Sequence, residues 1–105
     1  TVELMQTNYV TDEARPTMLV GGAGHWSSMP GQGFGLDFAV ALDPAATGEP
    51  YPRGVYYWGG AAGTWFWIDP VTDLTFVGMI QHLGPAAAHV QGISRNLVYQ
   101  AVVEP

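Results

Sequence analysis

Residues 56 to 70 read Tyr-Tyr-Trp-Gly-Gly-Ala-Ala-Gly-Thr-Trp-Phe-Trp-Ile-Asp-Pro. Aromatic side chains favour pleated, half-buried surfaces, so the two ends of this stretch are strand sequence. Between them lies a block of very small residues, Gly59-Gly60-Ala61-Ala62-Gly63. Glycine weakens a strand, and its presence in one marks a bulge or the close approach of a ligand or second backbone. Two strands, Val55 to Gly60 and Thr64 to Ile68, are therefore expected around a tight turn at Ala61-Ala62-Gly63. Trp58, Trp65 and Trp67 all fall close to that block. A cleft with aromatic walls and an accessible backbone floor is the first functional hypothesis.

The rest of the chain frames this pair of strands. Val2, Leu4 and Met5 after Thr1, with Glu3 in the first turn, predict a short helix from Thr1 to about Asn8. Residues 9–33 are rich in Gly, Ser, Pro and Thr and read as a long loop, with a brief extended piece at Met18-Leu19-Val20. Phe34, Leu36, Phe38, Val40 and Leu42 alternate and predict one strand ended by Asp43-Pro44. Residues 43–54 form a turn-rich connection, and Asp69-Pro70-Val71-Thr72-Asp73 a turn. Leu74 to Gln81 is nearly uncharged, which predicts a third strand of the meander, buried on both faces. From Pro85 onward Ala86, Ala87, Ala88, Val90, Ile93, Leu97, Val98, Ala101 and Val102 recur at helical spacings, predicting a helix that ends near Val103. The fold class is α+β: an antiparallel β-meander flanked by a short N-terminal helix and a C-terminal helix, in one segment over residues 1–105.

Composition narrows the partners. Of 105 residues 48% are hydrophobic and only 11% charged, and the net charge is −6. Small soluble domains carry about a quarter to a third charged residues on their surfaces. This chain cannot supply that, so part of its surface is expected to be covered. The basic residues are Arg15, Arg53 and Arg95, with no Lys. Nucleic acid is thereby excluded as a partner, because phosphate binding needs clustered Lys and Arg. Anionic membrane surfaces are disfavoured for the same reason. No apolar run is long enough to span a bilayer. With no Cys there is no disulfide, thiolate metal site or cysteine nucleophile.

The order of elements resembles the C-terminal part of serine hydrolases of the β-lactamase and penicillin-binding-protein fold, the class C-like esterases above all. The resemblance rests on Gly33-Phe34-Gly35-Leu36-Asp37-Phe38-Ala39-Val40, on Trp58-Gly59-Gly60-Ala61-Ala62-Gly63-Thr64, and on Phe66-Trp67-Ile68-Asp69-Pro70 leading into the apolar strand. Thr1-Val2-Glu3-Leu4-Met5 is similar to the helix before the family's glycine-rich loop. The match extends over essentially the whole chain. It implies that Trp58, Gly59 and Gly60 occupy the place of Lys-Thr-Gly on the strand that walls the active site. Ala61 would then offer its backbone N–H as one of two oxyanion-hole donors, which requires a donor fixed about 3 Å from the oxyanion. The Trp-Gly-Gly form lacks the cation with which lactam-recognising members hold a carboxylate, so a small neutral ester or amide is the implied substrate.

The family's nucleophile motif, Ser-x-x-Lys, has no counterpart here, and neither has Tyr-x-Asn or Tyr-x-Ser. The resemblance therefore implies the C-terminal portion of such a hydrolase, one piece of a cleaved, split or truncated protein, inactive alone. Its implied partner is the N-terminal portion, pairing with the strand at 74–81 to give a five-stranded sheet. No cofactor and no metal are implied.

Plainer readings stand beside these. Trp65 and Trp67 read as core aromatics, Trp58 as a cleft residue. His25, beside Trp26, reads as a solvated loop residue, with a substrate-contacting role as the alternative. His82 and His89 lack the further placed ligand that a metal site requires. Ser27-Ser28 has no nucleophile-elbow context. Asp37, Asp43, Asp69 and Asp73 are turn or strand-end residues. A non-catalytic, small β-rich binding or association module is the alternative function.

Overall fold

The small-residue block does reverse the chain. In the computed structural model, which describes residues 1–10 and 31–103, β3 (Tyr56–Gly59) and β4 (Trp65–Asp69) pair antiparallel on either side of it. The Gly60 N–H donates to the Thr64 carbonyl at 2.8 Å and the Gly63 N–H to the Gly60 carbonyl at 3.0 Å. Gly63 takes φ +97°, a left-handed conformation that only glycine reaches without strain. The register that follows is Trp58↔Phe66 and Tyr57↔Trp67, continued as Phe66↔Val77 and Trp67↔Phe76 into β5 (Leu74–Gly78).

Two further strands complete a five-stranded antiparallel sheet in the order β1-β2-β3-β4-β5, where β1 is Gln32–Phe34 and β2 is Ala39–Ala41. The helices are α1 (Val2–Met5), α2 (Pro44–Thr47) and α3 (Ala86–Ala101). The α+β class and the meander are as read from the sequence. The five strands, however, all come from these residues. The stretch expected to be one strand from Phe34 to Leu42 is a hairpin, closed by a Gly35 N–H to Phe38 carbonyl bond at 2.8 Å. Its turn holds Asp37 at φ +88°, and aspartate is among the few residues that tolerate this region. The apolar alternation ran straight through the reversal and concealed it.

Other differences have equally local causes. Gln32 and Gly33, expected at the end of the long loop, begin β1. Within the 43–54 connection, Asp43 caps α2, accepting from the Ala46 N–H at 3.3 Å, and Gly48 ends it at φ +72°. The expected strand at 74–81 stops at Gly78, and only one of its faces is buried: Thr75 is exposed, as are Val77 (62%) and Met79 (82%) beyond it. The expected extended piece at Met18-Leu19-Val20, together with His25, Trp26 and Ser27-Ser28, lies outside the described residues.

Cross-strand partners share a face of the sheet. Tyr57, Trp67 and Phe76 therefore form one row, and Trp58, Phe66 and Val77 another on the opposite side. The first row builds the core with Ala41, Tyr51, Val55 and Trp65, under Val98 and Tyr99 of α3. Trp67 is 1% exposed and stacks on Phe76 at 4.2 Å between ring centroids. The apolar helix positions do not all serve this core. Ala87 is buried and Val98 half-buried, whereas Val90, Ile93 and Leu97 are exposed. The helix thus carries an inner and an outer apolar side. Glu49 and Arg95 form a two-pronged ion pair with both contacts at 2.8 Å, joining the connection after α2 to α3.

Candidate functional site

Among the described residues, β2 does not run alongside the second half of β3. β2 pairs with β3 only through Val40↔Tyr56 and Ala39↔Tyr57, so the ladder ends one residue before Trp58. The Ala41 N–H donates to the Val55 carbonyl on the β2 side, while the Gly60 N–H turns to Thr64 on the β4 side. Alternation along the strand then directs the Gly59 backbone groups away from β4, toward the side where β2 has ended. Ala61 follows in the turn, exposed, and its N–H donates to no acceptor among the described residues. The turn is braced from behind: the His82 N–H donates to the Ala62 carbonyl at 2.8 Å, and Ile80 lies against Gly63.

On the face opposite α3 a cleft of about 440 Å³ opens over the ends of β3, β4 and β5. That is within the range of small-molecule sites. Trp58, Phe66, Val77 and Met79 supply apolar lining, Gly59, Gly60 and Gly78 the small positions, and Thr64 the hydroxyl. Among the described residues, no charged side chain lines it. Gly78 has no room for more: a methyl there would run into the Trp65 indole. Trp58 is half-buried and meets the Phe34 ring edge-on, 5.2 Å between centroids at 81°.

Trp58, Gly59 and Gly60 are thus brought together on the cleft, with Ala61 next to them at the start of the turn. Trp65 and Trp67 are core residues as expected, although Trp65 also lines the cleft. Sequence reasoning missed Phe34, Thr64, Phe66, Val77 and Met79. The signal for Phe66 and Val77 was available, because a tight turn at Ala61-Ala62-Gly63 fixes which residues stand opposite Trp58.

The remaining titratable groups have structural explanations. Asp69 is fully buried and accepts from the Val71 N–H at 2.8 Å, the Thr72 N–H at 3.2 Å and the Thr72 hydroxyl at 2.7 Å. The Tyr57 hydroxyl donates to Gln32 Oε1 at 2.5 Å. Burial pushes the Tyr57 phenol well above its ordinary value, with the Tyr51 hydroxyl beside it adding to the shift. Burial likewise raises Tyr51 and Tyr99, the latter helped by its hydrogen bond to Asp69. Each is a neutral hydrogen-bonding group, away from the cleft lining. His82 and His89 are exposed.

The chain is similar to known proteins. The family model described as beta-lactamase matches residues 2–100. Protein Rv1367c of Mycobacterium tuberculosis is 40% identical over 84 residues, which cover 77% of this chain and 20% of that protein. Esterase EstB of Burkholderia gladioli is 41% identical over 54 residues, covering 51% of this chain and 14% of the esterase. Among solved structures, EstCE1, described as a hydrolase with promiscuous acyltransferase activity, superposes with a TM-score of 0.68 at 26% identity. That superposition covers 91% of this chain and 23% of EstCE1. The simvastatin synthase LovD of Aspergillus terreus, unliganded, shares the fold at 20% identity with a TM-score of 0.65, over 99% of this chain and 28% of its own. The chain spans about a fifth of the length of Protein Rv1367c and less of EstB. With its five-stranded antiparallel sheet, it belongs to the beta-lactamase family, a family of hydrolases and acyltransferases.

Proposed function

We propose that residues 58–61 form the substrate wall and one oxyanion-hole donor of a serine hydrolase that transfers acyl groups from small neutral esters or amides. The observation that carries this reading is the end of the β2 ladder at Tyr57, with Trp58 to Ala61 lining or bordering a cleft that has no charged side chain among the described residues. An oxyanion needs a donor that is already in place and makes no competing bond, because reorganising one during the reaction costs rate. Among the described residues the Ala61 N–H donates to no acceptor, which supports this reading. The nucleophile and its base, the Ser-x-x-Lys and Tyr-x-Asn elements, belong to residues other than these 105, as does the strand that pairs with β5 in this reading.

The test is p-nitrophenyl ester turnover by the polypeptide that carries this segment together with its Ser-x-x-Lys region. Ala61→Pro removes the N–H and is expected to lower kcat by about 100- to 1,000-fold, as loss of one oxyanion donor does, while Ala61→Gly retains activity. Equal activity of the two variants overturns the oxyanion assignment. Absence of ester or amide turnover in the intact protein favours the association-module reading, which the exposed Val77 and Met79 beside β4 also suit.

A further inference from the structure

The turn between β3 and β4 fixes the direction of one backbone N–H. The Gly63 N–H donates to the Gly60 carbonyl at 3.0 Å, so that carbonyl is drawn into the turn. The Gly60–Ala61 peptide is trans and planar, with its N–H opposed to its carbonyl. The Ala61 N–H therefore leaves the turn on the outer side, and the Gly63 bond is what aims it. Gly63 in turn holds φ +97° and is covered by the segment after β5. A methyl on it would come within 2.9 Å of Ile80 Cγ1, 3.1 Å of Ile80 Cδ1 and 2.9 Å of the His82 carbonyl oxygen.

That segment reaches the turn by a shift of register. Trp65↔Gly78 is the pair of the β4–β5 ladder nearest the turn, and the same register carried on would set Gln81 opposite Ala62. The bond to the Ala62 carbonyl comes instead from the His82 N–H, at 2.8 Å. One extra residue is thus taken up between Gly78 and His82. That is the mark of a β-bulge, which bends a strand and re-aims its side chains. Met79 is 82% exposed, whereas Ile80 is half-buried and packs against the core as well as against Gly63. We infer that Ile80 is a positioning residue of the 60–63 turn. Anchored on the core, it holds Gly63 to the Gly60 carbonyl and so keeps the aim of the Ala61 N–H. The inference rests on the oxyanion reading of Ala61. It adds that the donor is aimed from the chain that follows β5, by a side chain that is not among those lining the cleft.

Amide hydrogen exchange tests the positioning. In this chain, Ile80→Ala is expected to speed exchange of the Gly63 amide about tenfold more than that of the Gly35 amide, which is bonded to the Phe38 carbonyl in the β1–β2 turn. Ile80→Val, which removes only Cδ1, should give a smaller effect of the same kind, and it carries the comparison if Ile80→Ala does not fold. Equal acceleration at Gly63 and Gly35 marks a general loss of stability and overturns the inference, as does no acceleration at Gly63. Kinetics test the consequence. In the hydrolase carrying this segment, Ile80→Val and Ile80→Ala are expected to lower kcat for p-nitrophenyl acetate by about three- and tenfold, with KM changed less than about twofold. A misaimed oxyanion donor weakens the transition state and not the bound ester. If Ala61→Pro loses activity relative to Ala61→Gly while both Ile80 variants keep full kcat, the inference fails alone. If Ala61→Pro and Ala61→Gly are equally active, the oxyanion reading fails and takes the inference with it.

Discussion

The Tyr99 hydroxyl donates to Asp69 Oδ2 at 2.9 Å, tying the last turns of α3 to the end of β4. Asp69 also gathers three donors from the turn that follows it, so a single buried carboxylate organises both a strand end and a helix. Removing it strands the Val71 and Thr72 groups and the phenol together. Asp69→Ala is expected to cost about 3 kcal/mol, and Tyr99→Phe about 1 kcal/mol, in urea unfolding. Equal effects of the two would show that the turn bonds contribute nothing.

Alkali should weaken the fold in a defined direction. Burial raises the Tyr51, Tyr57 and Tyr99 phenols above their ordinary value, so the native state holds them neutral. Their contribution is complete below about pH 10, the unfolded phenol value, and is lost as the pH rises above it toward their raised native values. Urea midpoints at pH 8 and pH 11 are expected to differ, and Tyr57→Phe should narrow that gap. A midpoint independent of pH up to 11 would contradict the burial of these groups.

The glycines of the cleft should not be equivalent. At Gly78 an added methyl meets the Trp65 indole, which is itself core, so Gly78→Ala is expected to destabilise by about 1–3 kcal/mol through overpacking. At Gly59 the nearest atom to such a methyl is the Thr64 carbonyl oxygen at 3.5 Å, an ordinary contact. Gly59→Ala should therefore be neutral or mildly stabilising by thermal melting.

Charge at the cleft should be tolerated by the fold and not by binding. Among the described residues the lining holds no charged group, and the whole chain has a net charge of −6. p-Nitrophenyl esters with a neutral acyl chain are expected to be turned over faster than those bearing a terminal carboxylate. A cation introduced by Trp58→Lys should narrow that preference. A carboxylate-bearing ester that matches the neutral one would speak against the uncharged cleft as the site.

Much of this architecture was legible in the sequence because local signals and global fold agree there. Gly63 can take the left-handed turn, and α3 keeps its period across sixteen residues. What stayed hidden was set by distant contacts. Nothing in the Phe34 to Leu42 alternation announced a reversal, since apolar residues on both arms of a hairpin match the pattern of one strand. Val77 and Val90 read as buried because their neighbours are apolar, yet which face meets the core depends on register and on the angle at which α3 lies. For the candidate site, the motif marked Trp58 to Ala61, but Phe34, which meets Trp58, is bonded at its N–H by Asn8, 26 positions earlier.

The sheet order has a kinetic consequence. Every ladder in β1-β2-β3-β4-β5 joins strands that are neighbours in the sequence. Closing such short loops costs little entropy, and folding rates rise as contacts become more local. This sheet can therefore assemble by successive hairpins as soon as its own residues are available. In a longer polypeptide it would stand ready as a template, and the slow step would be the docking of other segments onto it.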